Sequence, residues 1–492
     1  MKTSLSAIGY ARGVLSSCEV GDVRRTRALV VFLAGLLKRP GGKVTHVFRS
    51  SKLRERTYRI LNNVAVHATA LMAAMAQFCG KQASKEKRAF LILDGSSLNF
   101  VDRFGRKDFG RIGTYKSGAR GLKVITGYVL SAAGVPIGIG WQTFWARLKR
   151  RRQHSKSADV HRRKTHQKET RYWLETLKNA ALHLLTAGCR KLWVLVDREG
   201  DSRPVLEALA DGGFDFTVRS SADRLLTRGA NGRKRMLRAV MRIAPVMGDY
   251  EVRVARSDTR AARTPALIVR AKTVDLVLRE RWSKSVTRIL RVNVVWAKER
   301  TPPRGEQPLD WMLLTTAPIE TLNDCLEVIR SYELRWRIED FHKTWKSNHC
   351  RTEDSQLHSR HAATTFAILQ AAVATRVEQL KHLHRQAPEL PAQEVFSFEE
   401  RRAIEVLAIE LVEEPLAAGG HRQSRLRAPD PEKMTLGEAI DWIARFGGYI
   451  GKSSGGPPGA HVLGRGLLCV LDLARVIPIL EKANLKRRGP SK

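Results

Sequence analysis

The stretches AFLILD (Ala89–Asp94) and LWVLVD (Leu192–Asp197) each contain five consecutive apolar residues followed by an aspartate. A short unbroken apolar run is typical of a strand that is buried on both faces of a sheet. Turn-forming residues follow Asp94, so we expect the first strand to end there. Open α/β sheets place their functional sites at the carboxyl ends of such strands. The two runs therefore predict an α/β fold that presents Asp94 and Asp197 at one end of its sheet.

The charge of the chain indicates the kind of partner. Its 492 residues include 87 Lys and Arg against 48 Asp and Glu, which gives a net charge of +39. Such an excess repels itself in the compact state, and a polyanion is the usual compensating partner. Nucleic acid fits best, because each neutralised phosphate releases counterions. The alternative is a basic, Arg-rich protein with no such partner.

Length and cysteine usage restrict the class of protein. A chain of 492 residues exceeds what one hydrophobic core usually serves, so we expect two to four domains. Its six cysteines occur singly, which argues against a zinc module and a disulfide framework. Arg12 interrupts any N-terminal signal core, and no apolar run approaches the length of a membrane span. These features predict a soluble, cytoplasmic protein.

Patterning divides the rest of the chain. Residues 1–80 are basic and helical, and two β-rich runs near residues 123–130 and 137–144 precede a helix at 172–185. Residues 147–171 carry a net charge of +9 without a regular apolar period, which fits either a DNA-contacting loop or a solvated insertion. Strand patterns return from about residue 222 to 312. The last hundred residues are mainly helical, with a Pro/Gly/Arg-rich connection near 415–432.

The segment SYELRWRIEDFHKTWK (Ser331–Lys346) is the most informative one. On an α-helix its apolar residues share one face, and five polar residues fall within a stripe of roughly 80°: Tyr332, Arg335, Glu339, Lys343 and Lys346. An ordinary amphipathic surface helix gives the same separation. The functional interpretation is favoured because one carboxylate lies among groups suited to phosphate: a planar Arg fork, Lys charges and a Tyr hydroxyl.

The spacing Tyr332-x2-Arg335-x3-Glu339-x6-Lys346 resembles the Tyr-Arg-Glu-Lys motif of insertion-sequence transposases of the IS-four group. The neighbouring RWRIEDFHK (Arg335–Lys343) is similar to the branch of the Tn-five transposase, as are DREGD (Asp197–Asp201) and PLDWMLLT (Pro308–Thr315). Landmarks at residues 21–26 and 443–448 extend the resemblance over nearly the whole chain. Gly95 follows Asp94 where hydroxyl residues are common in the family.

The resemblance implies an RNase-H-like catalytic core at residues 81–385 with a β-rich insertion at about 222–312. It implies a helical transposon-end-binding domain at 1–80 and a helical dimerisation region at 386–492. Asp94, Asp197 and Glu339 would be the catalytic, metal-binding triad. The DNA-contacting residues that it implies are Tyr332, Arg335, Lys343, Lys346, Trp311, Trp336, Arg219, Arg24, Arg25, Arg27 and Arg59. For Trp311 and Trp336 the alternative role is packing in the core, and for Arg219 it is that of a salt-bridge partner at a strand end.

A lone Asp after a buried strand is more often a turn cap, but two of them with a Glu on a basic stripe reverse that preference. Three carboxylates suit two Mg²⁺ ions, with Mn²⁺ as a substitute, for in-line phosphoryl displacement. The resemblance implies a bacterial, nucleoid-associated homodimer that nicks transposon ends, forms and opens a hairpin, and joins the 3′ ends to target DNA. Two alternatives stay open: an RNase-H-like nuclease without strand transfer, and a catalytically silent DNA-binding regulator.

Overall fold

The computed structural model describes residues 7–113, 118–147, 165–229, 231–254, 262–280, 285–413, 427–451 and 457–488. Most of the basic segment 147–171 and of the connection 415–432 lies outside the described residues, so neither prediction is tested there. None of the helices within these ranges is long and apolar enough to cross a membrane.

A mixed sheet of twelve strands forms the centre of the described structure. Its strands are β1 (Ala89–Asn99), β2 (Gly110–Arg111), β3 (Arg120–Ser131), β4 (Pro136–Trp145), β5 (Leu192–Val196), β6 (Asp215–Arg219), β7 (Leu225–Leu226), β8 (Arg235–Met236), β9 (Val246–Glu251), β10 (Ala266–Arg279), β11 (Val286–Glu299) and β12 (Asp310–Thr315). The predicted α/β class is therefore confirmed.

Five strands in the order β4-β3-β1-β5-β6 make up the part of the sheet that carries both aspartates. The first three pair antiparallel, whereas β1, β5 and β6 run parallel. The runs predicted near residues 123–130, 137–144 and 192–196 correspond to β3, β4 and β5. The side chains of β5 are all buried, as an unbroken apolar run predicts. This arrangement is consistent with an RNase-H-like core.

Strand β1 departs from the sequence-based prediction, since it continues beyond Asp94 to Asn99. Its long antiparallel partner β3 pairs with it from Ala89↔Ser131 to Asn99↔Gly121. This ladder supplies hydrogen bonds to residues whose local preference is for a turn, so tertiary pairing overrides propensity. Asp94 therefore lies within a strand, whereas Asp197 directly follows one.

The strands of the predicted β-rich insertion continue the central sheet. Strand β11 pairs with β12 on one side and with β10 on the other, and β9 and β7 pair with β10. Strand β12 then returns to β6. The insertion therefore extends the sheet that carries the aspartates.

The described residues form fourteen helices. They are α1 (Ala7–Leu15), α2 (Val23–Lys38), α3 (Val44–Val47), α4 (Ser51–Leu61), α5 (Ala68–Ala83), α6 (Thr170–Thr186), α7 (Arg203–Asp211), α8 (Leu237–Arg242), α9 (Leu322–Glu333), α10 (Arg337–Lys346), α11 (Arg360–Gln386), α12 (Phe398–Glu413), α13 (Leu436–Phe446) and α14 (Ala460–Arg488). Helices α1–α5 share one hydrophobic core with the sheet. Helices α12–α14 and the end of α11 build another core.

A close contact joins α14 to the residues that follow α10. Gly464 of α14 faces the buried His349, and a Cβ at Gly464 would lie 2.0 Å from His349 Nδ1. Burial lowers the pKa of His349 to about 4, and His461 adds to the fall. The imidazole is therefore held neutral in the folded protein at neutral pH.

We expect His349 to make the folded state sensitive to acid. The unfolded chain binds a proton near pH 6.5, whereas the folded chain resists it until about pH 4. Stability is therefore present above pH 6.5 and is lost as the pH falls towards 4, by about 2 kcal/mol between roughly pH 7.5 and pH 5. Urea titrations of the wild type and His349→Gln measure this loss as the difference between the two proteins. Identical pH dependence would contradict the assignment.

Candidate active site

The sheet brings Asp94 and Asp197 together. Strands β1 and β5 run parallel with Leu93 opposite Val196, so the residues that follow each of these lie side by side. Asp94 is opposite Thr126 of β3 and shares the face of β1 on which Ile92 is opposite Tyr128. Tyr128 stacks on Phe341 of α10 at 4.7 Å between ring centroids. Helix α10 therefore covers the face from which Asp94 projects.

Glu339 is linked to this pair through Arg335. The Arg335 Nη2 atom lies 2.8 Å from Glu339 Oε1, and its Nη1 atom lies 3.8 Å from Asp94 Oδ1. The Arg335 side chain is 8% exposed, so it is an interior cation between two acids. The three predicted acids therefore converge on one region, from a strand, a strand end and a helix.

The helix that carries Glu339 is interrupted. Helix α9 ends at Glu333, a 3₁₀ turn covers Leu334–Trp336, and α10 begins at Arg337. The sequence predicts one continuous helix here, and this detail is wrong. A 3₁₀ turn winds more tightly than an α-helix and often marks a functional site or a strained stretch. The apolar face is retained, since Ile338, Phe341 and Trp345 are fully buried.

The carboxylates create an excess of negative charge. Burial raises the pKa of Asp94 to about 7, the neighbouring charge of Asp197 adds to the rise, and Arg335 opposes it. Glu339 and Glu199 raise it further. Carboxylate oxygens that repel one another are suited to a hard divalent cation, which prefers oxygen ligands and relieves the repulsion. On this observation the donor set fits such an ion.

Two buried guanidinium nitrogens beside the acids lack partners. Arg219 Nε and Arg335 Nε have no hydrogen-bond partner among the described residues, whereas the Tyr332 hydroxyl lies against the Arg219 side chain. Burial raises the pKa of Tyr332, and the charges of Arg335 and Arg219 oppose the rise, so both cations lie near the hydroxyl. Arg219 donates its Nη2 to the backbone oxygen of Asp310 at 2.9 Å. Buried donors without acceptors are costly, which favours an anionic ligand at this place.

The remaining predicted contacts of the catalytic region differ in exposure. Lys343 is exposed, whereas Lys346 is half-buried and its Nζ lies 3.9 Å from Glu353 Oε1. Trp336 is 55% exposed and stacks under the Arg335 guanidinium at 5.0 Å. Trp311 is buried, and its ring lies 6.1 Å from that of Tyr332. Of the two tryptophans, Trp336 alone is open to a ligand in this structure.

The predicted arginines of the N-terminal helices lie apart from the acids. Arg24 and Arg27 are exposed on α2, and Arg25 donates to the backbone oxygen of Val20 at 2.9 Å. Arg59 is exposed on α4, where it pairs with Glu55. Helices α2 and α4 contact each other. None of these arginines has a contact with the acids among the described residues.

Three further residues join the site that the sequence reasoning did not assign to it. His342 Nδ1 lies 3.5 Å from Asp94 Oδ2, and burial lowers the pKa of His342 to about 3, so this contact is not an ion pair at neutral pH. Glu199 lies over Gly95, where a Cβ would be 3.3 Å from Glu199 Oε2. Lys123 is opposite Ser97 and has a lowered pKa through burial. Of these three residues, only Glu199 could have been found from the sequence, because it lies in the DREGD motif (Asp197–Asp201).

A second acidic group lies on the other side of α10. Asp340, Glu378 and His382 place ligand atoms within 4.8 Å of one another, a geometry that could hold a metal ion. Lys381 Nζ, however, lies 2.5 Å from Glu378 Oε2 and 3.0 Å from Asp340 Oδ2. The Thr344 hydroxyl donates to Glu378 Oε1 at 2.5 Å. An ammonium group therefore already neutralises these acids.

Comparison with protein families agrees with this geometry. Residues 152–376 match the family model described as a transposase DDE domain. The match supports a DDE transposase. It covers Asp197 and Glu339, begins after Asp94, and ends within α11. DDE transposase domains act with a divalent metal, so the match and the crowded carboxylates point to the same chemistry.

Proposed function

We propose that this protein is a DDE transposase, a cut-and-paste enzyme of the IS-four group in the branch of the Tn-five transposase. It would bind the terminal inverted repeats of its transposon, cleave through a hairpin intermediate and join the 3′ ends to target DNA. The observation that carries the proposal is the Arg335 guanidinium between Asp94 and Glu339, with Asp197 beside Asp94. The spacing Tyr332-x2-Arg335-x3-Glu339-x6-Lys346 supports the branch.

Asp94, Asp197 and Glu339 would hold two Mg²⁺ ions, or Mn²⁺ in their place. The bound ions would supply Lewis-acid stabilisation of the attacking and leaving oxygens of phosphoryl transfer. The chain's own part is to fix the ligands: β1 and β5 set the two aspartates side by side, and α10 brings the glutamate to them. Arg335 pairs with both Asp94 and Glu339 in this structure, so it would hold two of the ligands in place and balance part of their charge.

Arg219, Tyr332 and Arg335 would hold phosphates of the cleaved end, and Lys343 and Lys346 would extend this surface along α10. Support comes from Arg219 Nε and Arg335 Nε, which are buried without partners among the described residues, and from the Tyr332 hydroxyl beside the Arg219 side chain. An Arg guanidinium binds phosphate through two parallel hydrogen bonds, whereas Lys contributes a point charge. A phosphate oxygen would therefore satisfy donors that otherwise remain without acceptors.

A hairpin bends the DNA backbone sharply, and a displaced base needs a surface on which to stack. We propose that Trp336 supplies it, since its ring is 55% exposed beside Arg335. Trp311 would join only after a rearrangement, because it is 8% exposed against Tyr332.

The two tryptophans give opposite predictions. Trp336→Ala should slow hairpin formation roughly tenfold through lost stacking, with the free energy of unfolding changed by less than about 0.5 kcal/mol. Trp311→Ala should destabilise the fold by about 3 kcal/mol or more, because it leaves a cavity in the core. Gel assays of the hairpin and urea titrations measure the two effects. Equal destabilisation by both changes would contradict this division.

The domain layout and partners complete the proposal. Residues 1–80 would bind transposon ends through Arg24, Arg25, Arg27 and Arg59, and residues 386–492 would form the homodimer interface. The exposed arginines of α2 and α4 and the net charge of +39 support a DNA partner. We propose a bacterial cytoplasmic location at the nucleoid, where that partner is found.

One experiment separates the proposal from its alternatives. The purified protein is incubated with Mg²⁺ or Mn²⁺ and a duplex that carries the terminal repeats read from the DNA beside its own gene. The proposal expects nicked ends, hairpins and then joined products in a plasmid target. Cleavage without joining would indicate a nuclease, and binding without cleavage a silent regulator.

A further inference from the structure

Phe104 is 80% exposed at the tip of the loop between β1 and β2. We call residues 100–109 the β1–β2 turn. A phenyl ring in water forgoes the stabilisation of burial. Single exposed apolar side chains are common on proteins, so Phe104 is distinguished by the frame that holds it and the charge around it.

The turn holds Phe104 outward on a rigid frame. Phe100 and Phe109 stack at 5.0 Å between centroids at its base. The Asp102 carboxylate is 2% exposed and pairs with Arg120 at 3.0 Å. It also accepts the Arg106 backbone N–H at 3.0 Å. A buried ion pair and a stacked aromatic pair fix the ends of this turn, so the exposure of the ring is built in.

Positive charge surrounds the ring. Arg103 and Arg106 are exposed on either side of Phe104, and the Arg106 guanidinium lies 5.5 Å from the ring centroid. Lys107 and Arg111 add further positive charge, and of the two acids in the turn Asp102 is paired with Arg120, which leaves Asp108. An apolar wedge flanked by cations is the combination with which proteins unstack a base step while they bind the adjacent phosphates. A second copy of this basic surface would instead be repelled.

The position of the turn relates it to the acids. Strand β1 carries Asp94 and ends at Asn99, about 17 Å further on at roughly 3.3 Å per residue. The Asn99 backbone N–H donates to Glu353 Oε1 at 2.8 Å, and the same oxygen lies 3.9 Å from Lys346 Nζ. The turn therefore begins where the basic stripe of α10 ends.

We propose that Phe104 inserts into a base step of the duplex DNA on which the acids act, with Arg103 and Arg106 on the flanking phosphates. The inference rests on the proposed function only in that its ligand is the DNA on which the acids act. The duplex is either the transposon end or the target, and both present the same stacked bases between phosphates.

The test measures DNA binding in EDTA, where no reaction takes place. Fluorescein-labelled terminal-repeat duplexes and plasmid-derived target duplexes of equal length are titrated with wild type, Phe104→Ala, Phe104→Leu and Arg106→Ala. We expect Phe104→Ala to raise Kd roughly tenfold and to leave the slope of log Kd against log salt concentration unchanged. Arg106→Ala should lower the slope of log Kd against log salt by about one. Ile243→Ala, which alters an equally exposed side chain (84%) elsewhere, is the matched control.

A second readout locates the contact. In a set of duplexes that carry 2-aminopurine at successive positions on either side of the cleavage site, wild type and Phe104→Leu should raise the 2-aminopurine fluorescence at one position, and Phe104→Ala should not. The duplex that responds, end or target, identifies the source. The proposal is overturned if Phe104→Ala binds both duplexes with the Kd of the wild type. It is also overturned if the change leaves Kd unaltered and only converts a dimer to a monomer. If Phe104 contributes to DNA binding as expected but the wild type does not cleave transposon ends, the proposed function is contradicted and the proposal for Phe104 is not.

Discussion

Asp94→Asn, Asp197→Asn and Glu339→Gln should each reduce cleavage of transposon ends by about a thousandfold or more. Each change keeps the shape of the side chain and removes one negative oxygen ligand. Metal ions contribute several kcal/mol to phosphoryl transfer, and each 1.4 kcal/mol corresponds to about tenfold in rate. Single-turnover cleavage in Mg²⁺, with end binding followed by gel shift, measures the loss.

The control for these variants is Asp211→Asn. Asp211 is an exposed acid of α7 that pairs with Arg288, and it belongs neither to the acidic triad nor to the basic stripe of α10. We expect it to cleave like the wild type, and we expect all four variants to bind transposon ends with an unchanged Kd. Normal cleavage by any one triad variant would remove that residue from the proposed active site. Loss of end binding would show instead that the variant disturbs the fold.

Lys381→Met should lower the free energy of unfolding by about 3–5 kcal/mol, because it leaves the charge of Glu378 buried without its partner. The Glu378 side chain is 1% exposed, forms an ion pair with Lys381 and accepts a hydrogen bond from the Thr344 hydroxyl. The double variant Glu378→Leu with Lys381→Met should recover much of the loss, since it buries no charge at all. Urea titrations compare the three proteins. Lys433→Met, at an exposed ion pair with Asp430, should cost less than about 1 kcal/mol.

Chelation of metal ions tests whether the group Asp340, Glu378 and His382 holds a metal. If Lys381 fills the place of a cation, EDTA leaves the Tm of the wild type unchanged. A fall of Tm upon chelation, restored by added metal, would instead assign a structural metal to this group. We expect no fall, because burial, together with the charges of Arg337 and Lys381, lowers the pKa of His382 to about 2. Such positive surroundings disfavour a further cation.

Local patterns predicted the elements that carry the site. The run at Leu192–Val196 became β5 with Asp197 directly after it, and the amphipathic period of Ser331–Lys346 placed Ile338, Phe341 and Trp345 in the core. Both predictions rest on side-chain burial within a few residues, which sequence expresses directly. The 3₁₀ turn at Leu334–Trp336 escaped, because a tighter winding leaves the apolar period almost unchanged.

Long-range pairing decided what local patterns missed. Gly95-Ser96-Ser97 predicts a turn, yet β3 extends β1 through these residues to Asn99. His342 and Lys123 join the site only because α10 packs on β1 and because Ser97 is opposite Lys123. Neither contact can be predicted from the residues that neighbour His342 or Lys123 in the sequence. The exposure of Phe104 likewise depends on Arg120, which follows it by sixteen residues and anchors Asp102.

The sequence alone determined the charge of the protein, the two strand-borne aspartates and the basic stripe around Glu339, since composition and periodicity are local properties. The tertiary structure decided that Arg335 spans two of the acids, that Trp336 is open while Trp311 is closed, and that Lys381 occupies the neighbouring acidic group. These are distances between elements far apart in the chain. They are fixed by packing, which no single stretch of residues encodes.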